Sequence, residues 1–186
     1  MQASAEIQKL TGGRAIEEIV FAQDRIAHRV AELGAAIGEH YASGDLLVIG
    51  LLKGSFVFLA DLIRTISRPL HVDFVIAASY GASTTSSGRV QLLYQPETSV
   101  DGKHVLLVED IVDSGNTLNR LAQLFRAWNP RSLEVCTLLH KKSARLETPP
   151  RFVGFEAPDA FLVGYGLDHA EDFRHLPFIA TIAQSS

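Results

Sequence analysis

Glu109, Asp110 and Asp113 stand just before the small-residue turn Ser114-Gly115-Asn116-Thr117, in the segment VLLVEDIVDSGNTL at 105–118. An apolar run leads into these acids, and the run Leu118–Trp128 after the turn has helical character. That order predicts a buried strand, a loop crossing the carboxyl edge of a sheet, and a helix. Open α/β sheets bind their ligands at that edge. Backbone N–H groups of Ser114–Thr117, at the positive end of the helix, would cradle a phosphate. Carboxylates beside an anion cradle repel the anion, so they need other partners, and ribose hydroxyls or a divalent cation would supply them. Each acid alone has a plainer explanation, as a solvated strand exit or, for Asp113, as a helix cap. Three acids with this turn are harder to explain that way. Neither GxxxxGK[ST] nor GxGxxG occurs, which points to a phosphate on a sugar without a nucleotide triphosphate grip.

The elements that must position these groups follow from periodicity. Residues 1–13 read as a loose arm closed by Gly12-Gly13. From about Ala22 to Tyr41, the residues Ile26, Val30, Leu33, Ile37 and Tyr41 recur at helical spacing. Leu46–Leu52 predicts a buried strand, broken by Lys53-Gly54-Ser55, and Phe56–Ile66 a second helix. His71–Tyr80 is strand-like, with Val72, Phe74 and Ile76 on one face. The run GASTTSSGR at 81–89 has almost nothing to bury and predicts a surface loop, with Val90–Tyr94 as its returning strand. Asp101-Gly102 marks a turn and Asn129-Pro130 stops the helix of the acidic motif. Ser132–His140 predicts another strand; Phe152–Phe155, Ala160–Tyr165 and Pro177–Ile182 are shorter candidates. Strands alternating with helices imply an α/β fold with a mainly parallel twisted sheet. No internal repeat or long linker divides the chain, so 1–186 is read as one domain.

Composition narrows the function classes. The chain has 186 residues, 47% apolar and 20% charged, which is ordinary for a globular protein. A net charge of −4 argues against a general nucleic-acid binder. No segment has the length of a membrane-spanning helix, and none near the amino terminus reads as a signal peptide. The single cysteine, Cys136, allows no internal disulfide and fits a reducing cytoplasm. His169, Glu171 and His175 lack the HExxH spacing of a metal helix.

VLLVEDIVDSGNTL resembles the phosphoribosyl pyrophosphate signature of the type I phosphoribosyltransferases. Four more segments occur in the expected order: GLLKGSFVFLADL at 50–62, ASYG at 78–81, LLHKKSAR at 138–145 and FLVGYGLDHAEDFRHLP at 161–177. With them, about Phe21 to Ile182 is similar to the hypoxanthine and hypoxanthine-guanine branch of that family. The resemblance implies a small hood built from the N- and C-terminal segments over the twisted sheet. It also implies transfer of the phosphoribosyl group from phosphoribosyl pyrophosphate to hypoxanthine or guanine, giving IMP or GMP and pyrophosphate. Mg2+ is the implied cofactor, and a homodimer or homotetramer the implied assembly.

Residue by residue, the resemblance implies that Glu109 and Asp110 serve the ribose and, with Asp168, the metal ion. Asp113 is the implied general base, and Asp113 with Ser114, Gly115, Asn116 and Thr117 grips the 5′-phosphate. Lys53 and Gly54, after a non-proline cis peptide, and Arg174 are assigned to pyrophosphate. Ser79 and Tyr80 lead an implied lid over 79–95. Lys141 would donate to the purine 6-oxo group, Phe161 would stack on the base, and Leu162 and Asp168 would read its edge through their backbone. Two alternatives stay open from sequence: the same fold acting on another base such as xanthine, and a nucleotide-binding regulator of RNA or DNA built on this fold.

Overall fold

The computed structural model describes residues 7–14, 16–79 and 90–182. Along the chain run β1 (Glu18–Phe21), α1 (Gln23–His40), β2 (Leu46–Leu52), α2 (Phe56–Ile63), β3 (His71–Ser79) and β4 (Val90–Tyr94). They are followed by β5 (His104–Val112), α3 (Asn116–Arg126), β6 (Ser132–Lys141), β7 (Phe152–Ala157), β8 (Leu162–Val163) and β9 (Ile179–Thr181). Six strands form one sheet in the order β4-β3-β2-β5-β6-β7. All of its neighbours are parallel except the β3–β4 pair. After β2 the chain first builds outward on one side, to β3, and then returns to lay β5 on the other side of β2. The β2/β5 boundary is therefore the topological switch point, and a crevice opens there beyond the carboxyl ends of the strands.

Period-two alternation in the central strands supplies two cores, one on each face of the sheet. Leu46, Val48, Leu106, Val108 and Cys136 meet the α1 stripe of Ile26, Val30, Leu33 and Ile37, together with Phe58 and Leu62 of α2. Leu47, Ile49, Leu51, Val105 and Leu107 meet Leu118, Leu121 and Phe125 of α3. The second helix ends at Ile63, three residues before the Ile66 expected from apolar spacing. Both the N–H and the hydroxyl of Thr65 donate to the Leu62 carbonyl, at 3.0 and 2.7 Å, which closes the last turn early. Ile66 is nevertheless buried. Val72 and Phe74 are only half-buried, while Val75 of the same strand is fully buried on the other face.

The hood is a three-stranded antiparallel sheet, β1-β9-β8, that joins the two ends of the chain. Its core gathers Val163, Phe173, Leu176, Phe178 and Ala180, and Ile7, Leu10 and Ile16 pack against it. Residues 7–13 are therefore not loose: they form a helical turn docked by apolar contacts, with Thr11 buried. The shorter C-terminal strands also trim the expected ranges, since only Leu162–Val163 and Ile179–Thr181 find ladder partners.

Candidate active site

The β5 ladder continues past the two carboxylates to Val112, so Glu109 and Asp110 lie within the strand and not beyond it. Consecutive strand residues point to opposite faces, and the two acids accordingly serve two adjoining cavities. The first, about 210 Å³, is lined by Glu109, Asp113, Ser114, Gly115 and Thr117 over an apolar floor that includes Leu51 and Leu118. The second, about 360 Å³, is lined by Lys53, Asp110, Lys141, Phe161, Leu162, Asp168 and Arg174. Gly54, Ile111 and Asp113 line both. A larger hollow of about 460 Å³ lies on the far side of Arg174. Its walls are mostly apolar, and no other candidate residue reaches it.

The phosphate turn is held from outside the motif. Gly115 takes φ 87° at the start of α3, a left-handed conformation that favours glycine. A side-chain carbon there would also lie 2.7 Å from the Arg145 carbonyl. The Arg145 N–H donates to Ser114 O at 3.0 Å, and Asn119 Nδ2 donates to the Arg145 carbonyl at 2.8 Å. Asn119 Oδ1 in turn accepts the Glu147 N–H at 2.9 Å. Asn119 and Arg145 thus position the turn, although neither residue type signals that role in sequence. Asn116 opens α3 at the surface and lines neither cavity.

Gly54 permits the closest approach in the site. A side-chain carbon on it would sit 1.8 Å from Asp110 Oδ2, so glycine alone lets the loop after β2 lie against the β5 carboxylate. The Leu52–Lys53 peptide is cis, as the resemblance implies. At the junction of the cavities, Lys141 Nζ lies 3.1 Å from Asp113 Oδ1, and the lysine is well covered while the acid is exposed. The β5/β6 register pairs Val112 with His140, which brings the following residues, Asp113 and Lys141, side by side.

Charges of the hood close the second cavity. Arg174 Nη2 lies 2.8 Å from Asp168 Oδ1 and 3.3 Å from Glu171 Oε2, and Arg174 Nη1 donates to the Gly166 carbonyl at 2.8 Å. Lys53 Nζ donates to Glu171 Oε1 at 3.0 Å. Hydrogen bonds from Lys53 and then Arg174 hold the Glu171 carboxyl below its ordinary range. Burial, reinforced by the neighbouring Asp110 charge, pushes the Glu109 carboxyl well above its ordinary value.

The histidines near these groups are structural. His169 sits edge-on to Phe161 at 5.3 Å, and His175 Nε2 is 2.9 Å from the Leu10 carbonyl. Among the described residues no three His, Cys, Asp or Glu side chains converge as a metal cage, and Glu109, Asp110 and Asp168 divide between the two cavities. Asp110 and Asp168 nevertheless share one cavity, and hard carboxylate oxygens suit Mg2+, which binds through one or two carboxylates plus substrate phosphates. Burial raises the Cys136 thiol, so it is a packed hydrophobe and not a nucleophile. Of the lid residues, Ser79 ends β3, while Tyr80 and the loop 81–89 lie outside the described residues.

Comparison with known proteins places this architecture. The phosphoribosyl transferase domain family matches residues 18–170. A hypoxanthine-guanine phosphoribosyltransferase of Bacillus subtilis is 46% identical over 168 residues, covering 90% of this chain and 93% of the relative. The hypoxanthine phosphoribosyltransferase of Escherichia coli K12 is 44% identical, covering 89% of this chain and 94% of its own. The crystal structure of a Bacillus anthracis hypoxanthine-guanine phosphoribosyltransferase, with a HEPES molecule in its active site, superposes with a TM-score of 0.86. It is 42% identical and covers 91% of this chain and 100% of its own.

Proposed function

The chain belongs to the phosphoribosyl transferase family, and we infer that it transfers the phosphoribosyl group of phosphoribosyl pyrophosphate to hypoxanthine or guanine. The products are IMP or GMP and pyrophosphate, which makes it a purine-salvage transferase. One observation carries the reading: a cavity fit for a sugar phosphate and a cavity fit for a purine and pyrophosphate meet at Asp113.

The 114–117 turn takes the 5′-phosphate and fixes the sugar, so that the reacting carbon needs no further positioning. Glu109 and Asp110, on opposite faces of β5, take the ribose hydroxyls and favour the positive charge that develops on the sugar. Lys141 and Phe161 hold the base by its 6-oxo group and its face, with Leu162 and Asp168 at its edge. Asp113 accepts the purine proton, and its pairing with Lys141 at 3.1 Å holds it at the base. Lys53, Gly54 and Arg174 take the leaving pyrophosphate. Asp110 and Asp168 would hold Mg2+ there, and the ion, when bound, neutralises the leaving group. A lysine donor opposes adenine, whose 6-amino group also donates.

We assign the enzyme to the cytoplasm as a homo-oligomer. No helix among the described residues is long and apolar enough to cross a membrane. The functional test is a spectrophotometric comparison of hypoxanthine, guanine, xanthine and adenine with phosphoribosyl pyrophosphate and Mg2+. Hypoxanthine or guanine should lead and adenine should be at least about a hundredfold poorer in kcat/KM. Preference for adenine, or no turnover of any base, would overturn the reading.

A further inference from the structure

Glu171 stands between the two cations assigned to pyrophosphate: one carboxylate oxygen is 3.0 Å from Lys53 Nζ and the other 3.3 Å from Arg174 Nη2. The chain goes to some trouble to hold it there. Glu171 has φ 69°, and Ala170 and Phe173 beside it have φ 52° and 74°, conformations that residues other than glycine rarely adopt. The Glu171 N–H donates to Asp168 Oδ2 at 2.9 Å, and His169 and Asp172 exchange backbone hydrogen bonds across the turn. From below, Arg14 pairs with Asp172 and lies 4.8 Å over the ring of the buried Phe173.

We propose that Glu171 is an internal counter-anion of the pyrophosphate grip. It neutralises Lys53 and, together with Asp168, Arg174 in the empty enzyme, is displaced by the pyrophosphate of substrate or product, and by returning favours product release. The proposal rests on the assignment of Lys53 and Arg174 to pyrophosphate. Lys53 and Glu171 are each about two-thirds exposed, so their contact is readily exchanged for the oxygens of a more highly charged ligand. Once displaced, a carboxylate tethered by a braced turn stays near the cavity and repels the bound polyanion. Neither effect acts on the neutral purine, so the two substrates should respond differently.

The test is calorimetric binding of inorganic pyrophosphate, with Mg2+, to the parent protein and to the variants Glu171→Gln, Lys53→Ala and Arg174→Gln. Glu171→Gln should bind pyrophosphate about three- to tenfold more tightly, as expected for release of partly exposed ion pairs. Its KM for phosphoribosyl pyrophosphate should fall and product inhibition by pyrophosphate should strengthen, while the KM for the purine stays unchanged. A purely structural role for Glu171 would instead shift both KM values together. If Lys53→Ala and Arg174→Gln weaken pyrophosphate binding but Glu171→Gln leaves it unchanged or weaker, the counter-anion is refuted and the grip stands. If Lys53→Ala and Arg174→Gln have no effect on pyrophosphate, the grip assignment itself falls, and the counter-anion with it.

Discussion

The sugar-phosphate cavity takes all its polar side chains from one continuous segment, Glu109 to Thr117, whereas the purine and pyrophosphate cavity draws on the loop after β2, the ends of β5 and β6, and the hood. The first is fixed by the β5/β6 ladder, which runs on to Val112, and by hydrogen bonds from Asn119 and Arg145. The second is fixed largely by ion pairs, Lys141 with Asp113 and Arg174 with Asp168 and Glu171. A ladder is a permanent constraint, while an ion pair can be exchanged for a charged ligand. The enzyme therefore holds the sugar phosphate on rigid backbone and receives the base and pyrophosphate with groups that change partners.

Asp113 is where the two principles meet, so its removal should have the largest effect. Asp113→Asn should lower kcat by about two to four orders of magnitude, the usual range for loss of a general base. Binding of phosphoribosyl pyrophosphate should change little, because the ladder and the turn remain. Steady-state kinetics with calorimetric binding separates the two quantities. An unchanged kcat would remove Asp113 from proton transfer and leave the cavities merely adjacent.

The same contrast explains what sequence could show. The β2 boundaries and the α1 stripe were legible because each follows from local periodicity within a short stretch, whereas the turn after β5 is shorter than its small residues suggest, since α3 begins at Asn116 and not at Leu118. That Glu109 and Asp110 face different cavities was legible in principle from strand alternation. Reading the strand as ending at these acids hid it, because the ladder runs on to Val112. In the second cavity, Lys141 and Phe161 came from family resemblance, since a lysine at a strand end and an exposed phenylalanine say nothing alone. In sequence Glu171 stands out only beside His169 and His175, at a spacing that is not HExxH. Its contacts with Lys53 depend on a turn of left-handed residues and on a partner 118 positions away, and no local pattern encodes such a pairing. The docking of residues 7–13 is hidden in sequence for a related reason: Ile7 and Leu10 are too few to form a periodic stripe, and their packing depends on the distant hood core.

On the exchangeable side, Lys141→Gln should have a smaller effect, confined to the base. Discrimination of hypoxanthine or guanine over adenine should fall by about ten- to a hundredfold in kcat/KM, because Gln can turn either a donor or an acceptor toward position 6. The KM for phosphoribosyl pyrophosphate should hold. If instead base preference survives and only kcat falls, Lys141 acts through Asp113 and the purine contact lies elsewhere.

The smallest expected effect tests the rigid side away from the chemistry. Asp73 of β3 is buried, and its oxygens accept the N–H groups of Phe74 and Thr98, each at 2.8 Å, which ties the link between β4 and β5 to the sheet. Burial alone would raise its carboxyl, but the Thr98 and Phe74 N–H groups outweigh burial and hold it below the ordinary value. A carboxyl lowered on folding contributes stability that is complete above its unfolded value, near 4, and is lost as pH falls through the lower folded value. Asp73→Asn places an amide N–H where an acceptor is needed and should cost about 1–2 kcal/mol at pH 7. Urea unfolding of parent and variant at pH 7, 5 and 3 should show the difference intact at the first two and shrinking at the third. A gap that stays constant to pH 3 would mean that Asp73 acts by shape and not by charge, and that the sheet side needs no charge to stay rigid.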